Sequence, residues 1–270
     1  MIESSAPTLS IVIPNYNYGS FLSILLDSIN KSKHRESIEV IVVDGGSTDN
    51  SVENARQRLL VNDTLISEKD KGQADAISKG LKVARGAWFI FQNSDDLFEV
   101  SGLDACIEIM KGSIDSDMIV GAYGLCVNIS NSWKKELNYI PVYGIKRFML
   151  LINLYFPNQC TFYLTKLAKT TDFDVKKKFA LDLDFTVRFI RQHGLNYFVV
   201  PAIVGYLRLH ADSKTSNMQP VCSAEVEEIH RINFNLFDRL MCYLYYPVYL
   251  LYSILKKKQY RYRIMRNNYS

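Results

Sequence analysis

The sequence predicts an α/β sandwich whose first half is Rossmann-like, built on a mostly parallel central sheet. Two observations carry this expectation. Over the first 100 residues, short β-branched apolar runs alternate with stripes of helical period, the pattern of parallel strands joined by helical crossovers. Polar clusters then follow the strand runs, where crossovers must leave the sheet.

Leu9 to Pro14 is the first such run, and Pro14-Asn15 ends it. Phe21, Leu22, Leu25, Leu26 and Ile29 next fall on one helical face. Ile38 to Val43 reads as a second buried strand, stopped by Asp44-Gly45-Gly46. A helix is expected to open at Ser47-Thr48-Asp49, which offers capping side chains, and to turn Val52, Ala55 and Leu59 inward. Leu65-Ile66 predicts a short third strand. Ala74, Ile77, Leu81 and Ala84 stripe the helix after it, with Gly86 as its stop. Trp88 to Phe91 predicts a fourth strand that runs into Asn93-Ser94-Asp95-Asp96. Beyond residue 100 the pattern loosens. Strands are expected at Met118 to Tyr123, Thr161 to Leu164 and Phe198 to Ile203, and a helix at Leu183 to Gln192.

The chain has 270 residues, enough for one large domain with a modest appendage, and its 48% hydrophobic and 22% charged residues argue against disorder. The five cysteines are scattered and form no C-x-x-C pair, which disfavours a disulfide framework or a zinc cluster and fits reduced thiols in a cytoplasmic protein. Met1 to Thr8 lacks the basic and apolar regions of a signal peptide. Leu240 to Leu255 is too short for a spanning helix and contains Pro247. The net charge of +4 conceals an asymmetry: residues from Arg231 onward carry +7, leaving a mildly acidic body of about −3.

The polar clusters Pro14-Asn15-Tyr16-Asn17, Asp44 to Asp49 and Asn93 to Asp96 end strands one, two and four. In a parallel sheet all three open onto one edge, where such folds bind ligands. Carboxylates gathered there repel unless a positive group lies between them, and a divalent cation bridging diphosphate oxygens satisfies that need. An Asp-Asp pair alone is weak evidence; its place directly after a buried strand gives it weight.

Val42-Val43-Asp44-Gly45-Gly46-Ser47-Thr48-Asp49, Ser67 to Ala76 and Asn93-Ser94-Asp95-Asp96, in this order, resemble glycosyltransferase family 2 with its GT-A fold. The resemblance runs from Leu9 to about Thr215. It implies an inverting transferase that uses a nucleotide-diphospho-sugar with Mn²⁺ or Mg²⁺. It also implies a catalytic domain over residues 1–215, with a nucleotide-binding half (7–100) and an acceptor-binding half (101–215), followed by a helical tail (216–270). By the same resemblance Pro14 and Tyr16 line the nucleobase pocket, and Asp44 matches the first acid of the family's Asp-Asp-Gly-Ser. Asp70, Lys71 and Asp75 lie near the ribose and diphosphate, Asp95 reaches the ribose or donor sugar, and Asp96 holds the metal. Gly45 departs from the family's second acid, which leaves the choice of nucleobase open, with uracil favoured.

An acceptor hydroxyl attacks poorly until a base takes its proton. Phe179 to Phe185 resembles the acidic segment that supplies this base, and Asp182 aligns with it. Asp184 lies about 200° further round a helix, so the two acids cannot serve one hydroxyl; both as helix N-terminal acids is the bland alternative. Leu207 to Thr215 looks like a further family feature, in which His210 completes the metal shell or touches the diphosphate.

From Phe234 the chain is apolar and tyrosine-rich and then basic at Lys256-Lys257-Lys258, which suits an interfacial segment on anionic lipid. The alternative is a helical pair packed on the catalytic domain or a dimer contact. No reader motif supports nucleic acid. The sequence-level reading is therefore a cytoplasmic transferase, peripheral on the inner face of the membrane, that glycosylates a saccharide or lipid-linked saccharide for surface polysaccharide. An inactive sugar-nucleotide-binding or scaffolding module is the alternative. A nucleotidyltransferase is disfavoured because Pro-Asn-Tyr-Asn stands where a glycine-rich loop belongs, and a dehydrogenase by the lack of G-x-G-x-x-G.

Overall fold

The computed structural model describes residues 6–129, 132–139, 145–152, 156–210 and 219–268. Apolar runs too short for helices became strands β1 (Leu9–Asn15), β2 (Ile38–Asp44), β3 (Thr64–Ser67) and β4 (Trp88–Phe91). Every residue of β1, β2 and β4 is buried, as expected of strands covered on both faces. The crossovers are α1 (Gly19–Asn30), α2 (Ser51–Arg58) and α3 (Gln73–Val83). These four strands pair in parallel, in the order β3-β2-β1-β4.

The order continues through β8 (Thr161–Leu164), β6 (Met118–Ile129), β9 (Tyr197–Leu209) and β5 (Leu97–Phe98), with β7 (Ser132–Tyr139) paired to β6. Here the sheet is mixed: β8 runs antiparallel to both β4 and β6, and β9 parallel to β6. Helices α4 (Val100–Lys111), α5 (Thr165–Thr171), α6 (Leu181–His193), α7 (Gln219–Asn233) and α8 (Leu236–Asn268) complete the described α-helices.

Side chains alternate across a strand, so the sheet feeds two cores. Leu9, Ile11 and Ile13 pack with α1 and α4 on one face. Val12, Ile41 and Val43 pack on the other with α3 and α6, and the same cluster reaches Ile229 of α7 and Tyr249 of α8. This is the expected α/β/α sandwich.

Two local expectations change. The second helix begins at Ser51 rather than at Ser47, because Ser47 and Asp49 serve the loop: Asp49 accepts from the backbone N–H groups of Gly19 (2.9 Å) and Ser51 (3.0 Å). Gly86 does not stop α3, which ends at Val83. A Cβ at Gly86 would lie 2.5 Å from the Ser10 nitrogen, so glycine is there to let the chain pass β1. The boundary drawn at 215/216 and the loop Ala211-Asp212-Ser213-Lys214-Thr215 lie outside the described residues. Among those residues, no helix is long and apolar enough to cross a membrane.

Candidate active site

Register brings the polar clusters together. Asn15 pairs with Asp44, and Asp44 with Ser67, so the carboxyl ends of β1, β2 and β3 are level. A cleft of about 520 Å³ opens above them, lined on this side by Pro14, Tyr16, Gly45, Lys69 and Asp70 and on the other by Asn93, Ser94, Asp95 and Leu207.

Asp44 braces the rim and does not face the cleft. It is buried, and its carboxylate accepts from Asn15 Nδ2 (3.0 Å), the N–H groups of Gly46 (3.1 Å) and Ser47 (2.9 Å), and Ser67 Oγ (3.3 Å). Burial opposes its ionisation, but the hydrogen bonds from Ser47, Asn15 and Gly46 outweigh burial and hold it below the usual carboxylate range. Asn17, at φ 56°, locks the neighbouring loop: its N–H donates to Ser47 Oγ (2.8 Å) and its Oδ1 accepts from the Thr48 N–H (2.8 Å). Tyr16, 58% exposed, forms part of the cleft wall.

Asp70 enters from the turn after β3, where its Oδ1 accepts from the Gly72 N–H at 2.8 Å. A Cβ on Gly45 would lie 2.5 Å from Asp70 Oδ2. The missing side chain at 45 therefore makes room for the carboxylate of 70. Lys71 and Asp75 do not line the cleft. The Lys71 N–H donates to Asp75 Oδ2 (3.0 Å), and Asp75 also pairs with Lys79 (3.4 Å) in the first turn of α3. The lining lysine is Lys69, which the motif pattern missed by two positions.

Asp95 and Asp96 follow β4 and point into different surroundings. Asp95 lines the cleft, with its Oδ2 3.1 Å from His210 Nε2. His210 is held by stacking on Phe21 (centroids 4.8 Å apart) and edge contact with Tyr18 (5.8 Å). Asp96, expected at the metal, is fully buried behind the cleft wall. Its Oδ1 accepts from the Arg208 N–H (3.2 Å), and its Oδ2 from Asn93 Nδ2 (3.3 Å) and Gln159 Nε2 (3.1 Å). Burial, reinforced by neighbouring Asp95, pushes it up to about 8, against the pull of Gln159 and Arg208. Enclosed and engaged by these three donors, its carboxyl does not face the cleft.

Arg208 explains why the pair divides this way. Its side chain is only 2% exposed and lies over the Phe21 ring at 4.5 Å. The guanidinium donates to the backbone carbonyls of Asp95, Phe21 (3.3 Å), Ser94 (3.4 Å) and Asp96 (3.3 Å). One buried cation thus ties the Ser94–Asp96 turn to β9, two residues before His210. Sequence reasoning missed it: an arginine in an apolar strand end carries no motif.

Asp182 lies in the first turn of α6, half-buried, with its Oδ1 accepting the Leu183 N–H at 2.8 Å; it is not among the residues lining the cleft. Burial pushes it up to about 6, with the Leu183 N–H and its own pulling the other way. Asp184 is instead committed to Arg188 at 2.7 Å, which separates the two acids as helical geometry requires.

Among the described residues no three His, Cys, Asp or Glu side chains gather as a complete metal site. Asp95 and His210 place one oxygen and one nitrogen donor together at one edge. Such an edge suits a divalent ion whose remaining positions are filled by phosphate oxygens and water.

Residues 10–171 match the family described as Glycosyl transferase family 2. The chain is 28% identical over 193 residues to a PGL/p-HBAD biosynthesis glycosyltransferase of Mycobacterium bovis, covering 68% of this chain and 70% of that protein. It is 31% identical over 118 residues to Glycosyltransferase GlyG of Streptococcus pneumoniae, covering 43% and 38%. Among solved structures, S. aureus TarS 1-349 in complex with UDP-GlcNAc superposes with a TM-score of 0.64 at 21% identity, covering 83% of this chain and 65% of that one. The Pyrobaculum calidifontis mannosyltransferase PcManGT, in complex with GDP-Man and Mn²⁺, gives 0.57 at 15% identity over 98% and 85%. By the extent of the family match and the architecture it shares with these structures, the chain is a member of glycosyl transferase family 2 and carries the GT-A fold.

Proposed function

We propose that the chain transfers a sugar, with inversion, from a nucleoside diphosphate donor (a UDP-sugar) to a hydroxyl of a saccharide or lipid-linked saccharide in surface polysaccharide synthesis. The observation that carries this reading is the 520 Å³ cleft on the carboxyl edge of the parallel strands, with Asp70 and Tyr16 on one side and Asp95, bonded to His210, on the other. Pro14 and Tyr16 bound the nucleobase, and the Asp70 carboxylate, seated against Gly45, accepts from an imide N–H. Lys69 balances diphosphate charge. Asp95 and His210 hold Mn²⁺ or Mg²⁺, and Arg208 and Asp96 fix the turn that presents Asp95. When bound, the cation supplies Lewis-acid stabilisation of the leaving diphosphate, worth several kcal/mol.

Asp182 is the base in this reading. Poised near 6, it is mostly ionised at neutral pH yet basic enough to take a proton. The acceptor O–H proton passes to Asp182, the acceptor oxygen bonds to the anomeric carbon, and the bond from that carbon to the diphosphate oxygen breaks. Transfer assays with UDP-, GDP- and dTDP-sugars plus Mn²⁺ test the reading. Turnover of a UDP-sugar with inverted product by NMR is expected; retained configuration, or no donor binding with or without metal, refutes it.

The proposal includes peripheral contact with the inner face of the cytoplasmic membrane. It is supported by α8, where Phe237, Leu244, Val248 and Leu251 are each 58–66% exposed. Flotation with anionic liposomes should require residues 231–270; unchanged binding after their removal excludes the tail as anchor.

A further inference from the structure

A second cavity, of about 480 Å³, lies between α7 and α8, lined by Ser223, Val226, Glu227, His230, Arg231 and Arg239. It shares no lining residue with the donor cleft. Positions 223, 226, 227 and 230 fall on one face of α7, so the wall is a continuous helical surface. Neighbouring charges on these helices are paired, Lys177 with Glu228 and Arg147 with Asp238 at 2.6 Å. Arg231 and Arg239 have no ion-pair partner among the described residues. Burial, opposed by a hydrogen bond to the Leu150 backbone and aided by the charge of Arg239, pushes the His230 imidazole down and favours its neutral form. Its Nε2 is buried and has no hydrogen-bond partner among the described residues.

This combination is selective. Two guanidiniums ask for oxyanion oxygens. A neutral imidazole whose other nitrogen is already bonded asks for a donor at Nε2. A monoprotonated phosphate monoester supplies both, since its P–O⁻ oxygens accept from the arginines and its P–OH donates to His230. A phosphodiester lacks that hydroxyl. On the first turns of α8, beside Arg239, Leu236, Phe237, Leu240 and Tyr243 are 83, 66, 53 and 80% exposed, which suits a lipid carrying such a head group. We propose that the cavity between α7 and α8 is a phosphate-monoester site formed by Arg231, Arg239 and His230. The inference is independent of the sugar-transfer reading, because none of these residues touches the donor cleft.

The test uses the full chain and three probes: inorganic phosphate by calorimetry, phosphatidylcholine vesicles carrying phosphatidic acid, and matched vesicles carrying phosphatidylglycerol. Phosphate should bind the wild type, and the Arg231→Gln/Arg239→Gln variant should bind it at least about tenfold more weakly, the loss expected for removing two charge-assisted partners. His230→Phe, which leaves the net charge unchanged, should also weaken it. Preference for phosphatidic acid over phosphatidylglycerol in the wild type, abolished in both variants, identifies a lipid source; phosphate binding without that preference identifies a soluble one. Absence of phosphate binding overturns the proposal. So does an equal loss in Lys257→Gln/Lys258→Gln, which would reveal diffuse attraction only. UDP binding, unchanged throughout, reports that the variants are folded and keeps this outcome separate from failure of the transferase reading.

Discussion

Asp96→Asn separates a buried brace from a metal ligand. In the folded protein burial raises Asp96 from 3.8 to about 8, so between these values the native state keeps a proton that the unfolded chain releases. Stability from this group is fully present below pH 3.8 and is lost as pH rises through about 8. The slope is about 1.4 kcal/mol per pH unit, so the wild type should lose about 3 kcal/mol between about pH 5 and pH 7 through this group alone. Asparagine keeps the shape and does not titrate, and that share of the pH dependence should vanish. Urea unfolding at both pH values in wild type and variant gives the difference directly. At the cleft, Asp96→Asn costs at most one hydrogen bond, so metal-dependent UDP binding should weaken no more than about threefold to tenfold. Asp95→Asn, by contrast, should abolish the Mn²⁺ dependence. Identical pH dependence in wild type and Asp96→Asn, or a loss of Mn²⁺ dependence on changing Asp96 and not Asp95, would refute the assignment.

Asp182→Asn should leave UDP binding intact and lower transfer by about 10²–10⁴-fold, read in single-turnover assays. In the wild type, transfer should fall as pH drops below about 6, because the base is then protonated, and this acid limb should disappear from the residual rate of the variant. Gly45→Ala puts a methyl 2.5 Å from Asp70 Oδ2; displacing that carboxylate should weaken UDP binding with an overpacking cost of about 1–3 kcal/mol, measured by calorimetry alongside melting. Arg208→Met strands the backbone carbonyls of Phe21, Ser94, Asp95 and Asp96, and should cost about 3–5 kcal/mol in urea titrations, with little rescue by lysine, whose single ammonium cannot span the same acceptors.

The first half of the fold was legible because its strands are buried on both faces, leaving uninterrupted β-branched runs such as Ile11-Val12-Ile13 that no helix of that length explains. Helix α4 was missed although Leu103, Cys106, Ile107 and Met110 stripe it at helical spacing. The long β9 was cut short because its half-buried and buried positions do not alternate cleanly. Local chemistry misled at Ser47, whose hydroxyl braces Asp44 and Asn17 where a cap was expected.

Order along the chain was enough to place the polar edge of the sheet, since parallel pairing must bring successive strand ends to one rim. The family resemblance singled out Tyr16, Asp70 and Asp95, all of which line the cleft. Which of two adjacent aspartates meets solvent was beyond it. That depends on Arg208 and Gln159, 112 and 63 residues away from Asp96, reaching the turn and drawing one carboxyl inward. The choice of Lys69 over Lys71, and the fit of Asp70 into the space left by Gly45, are likewise matters of backbone direction and close approach, which adjacency in sequence does not encode.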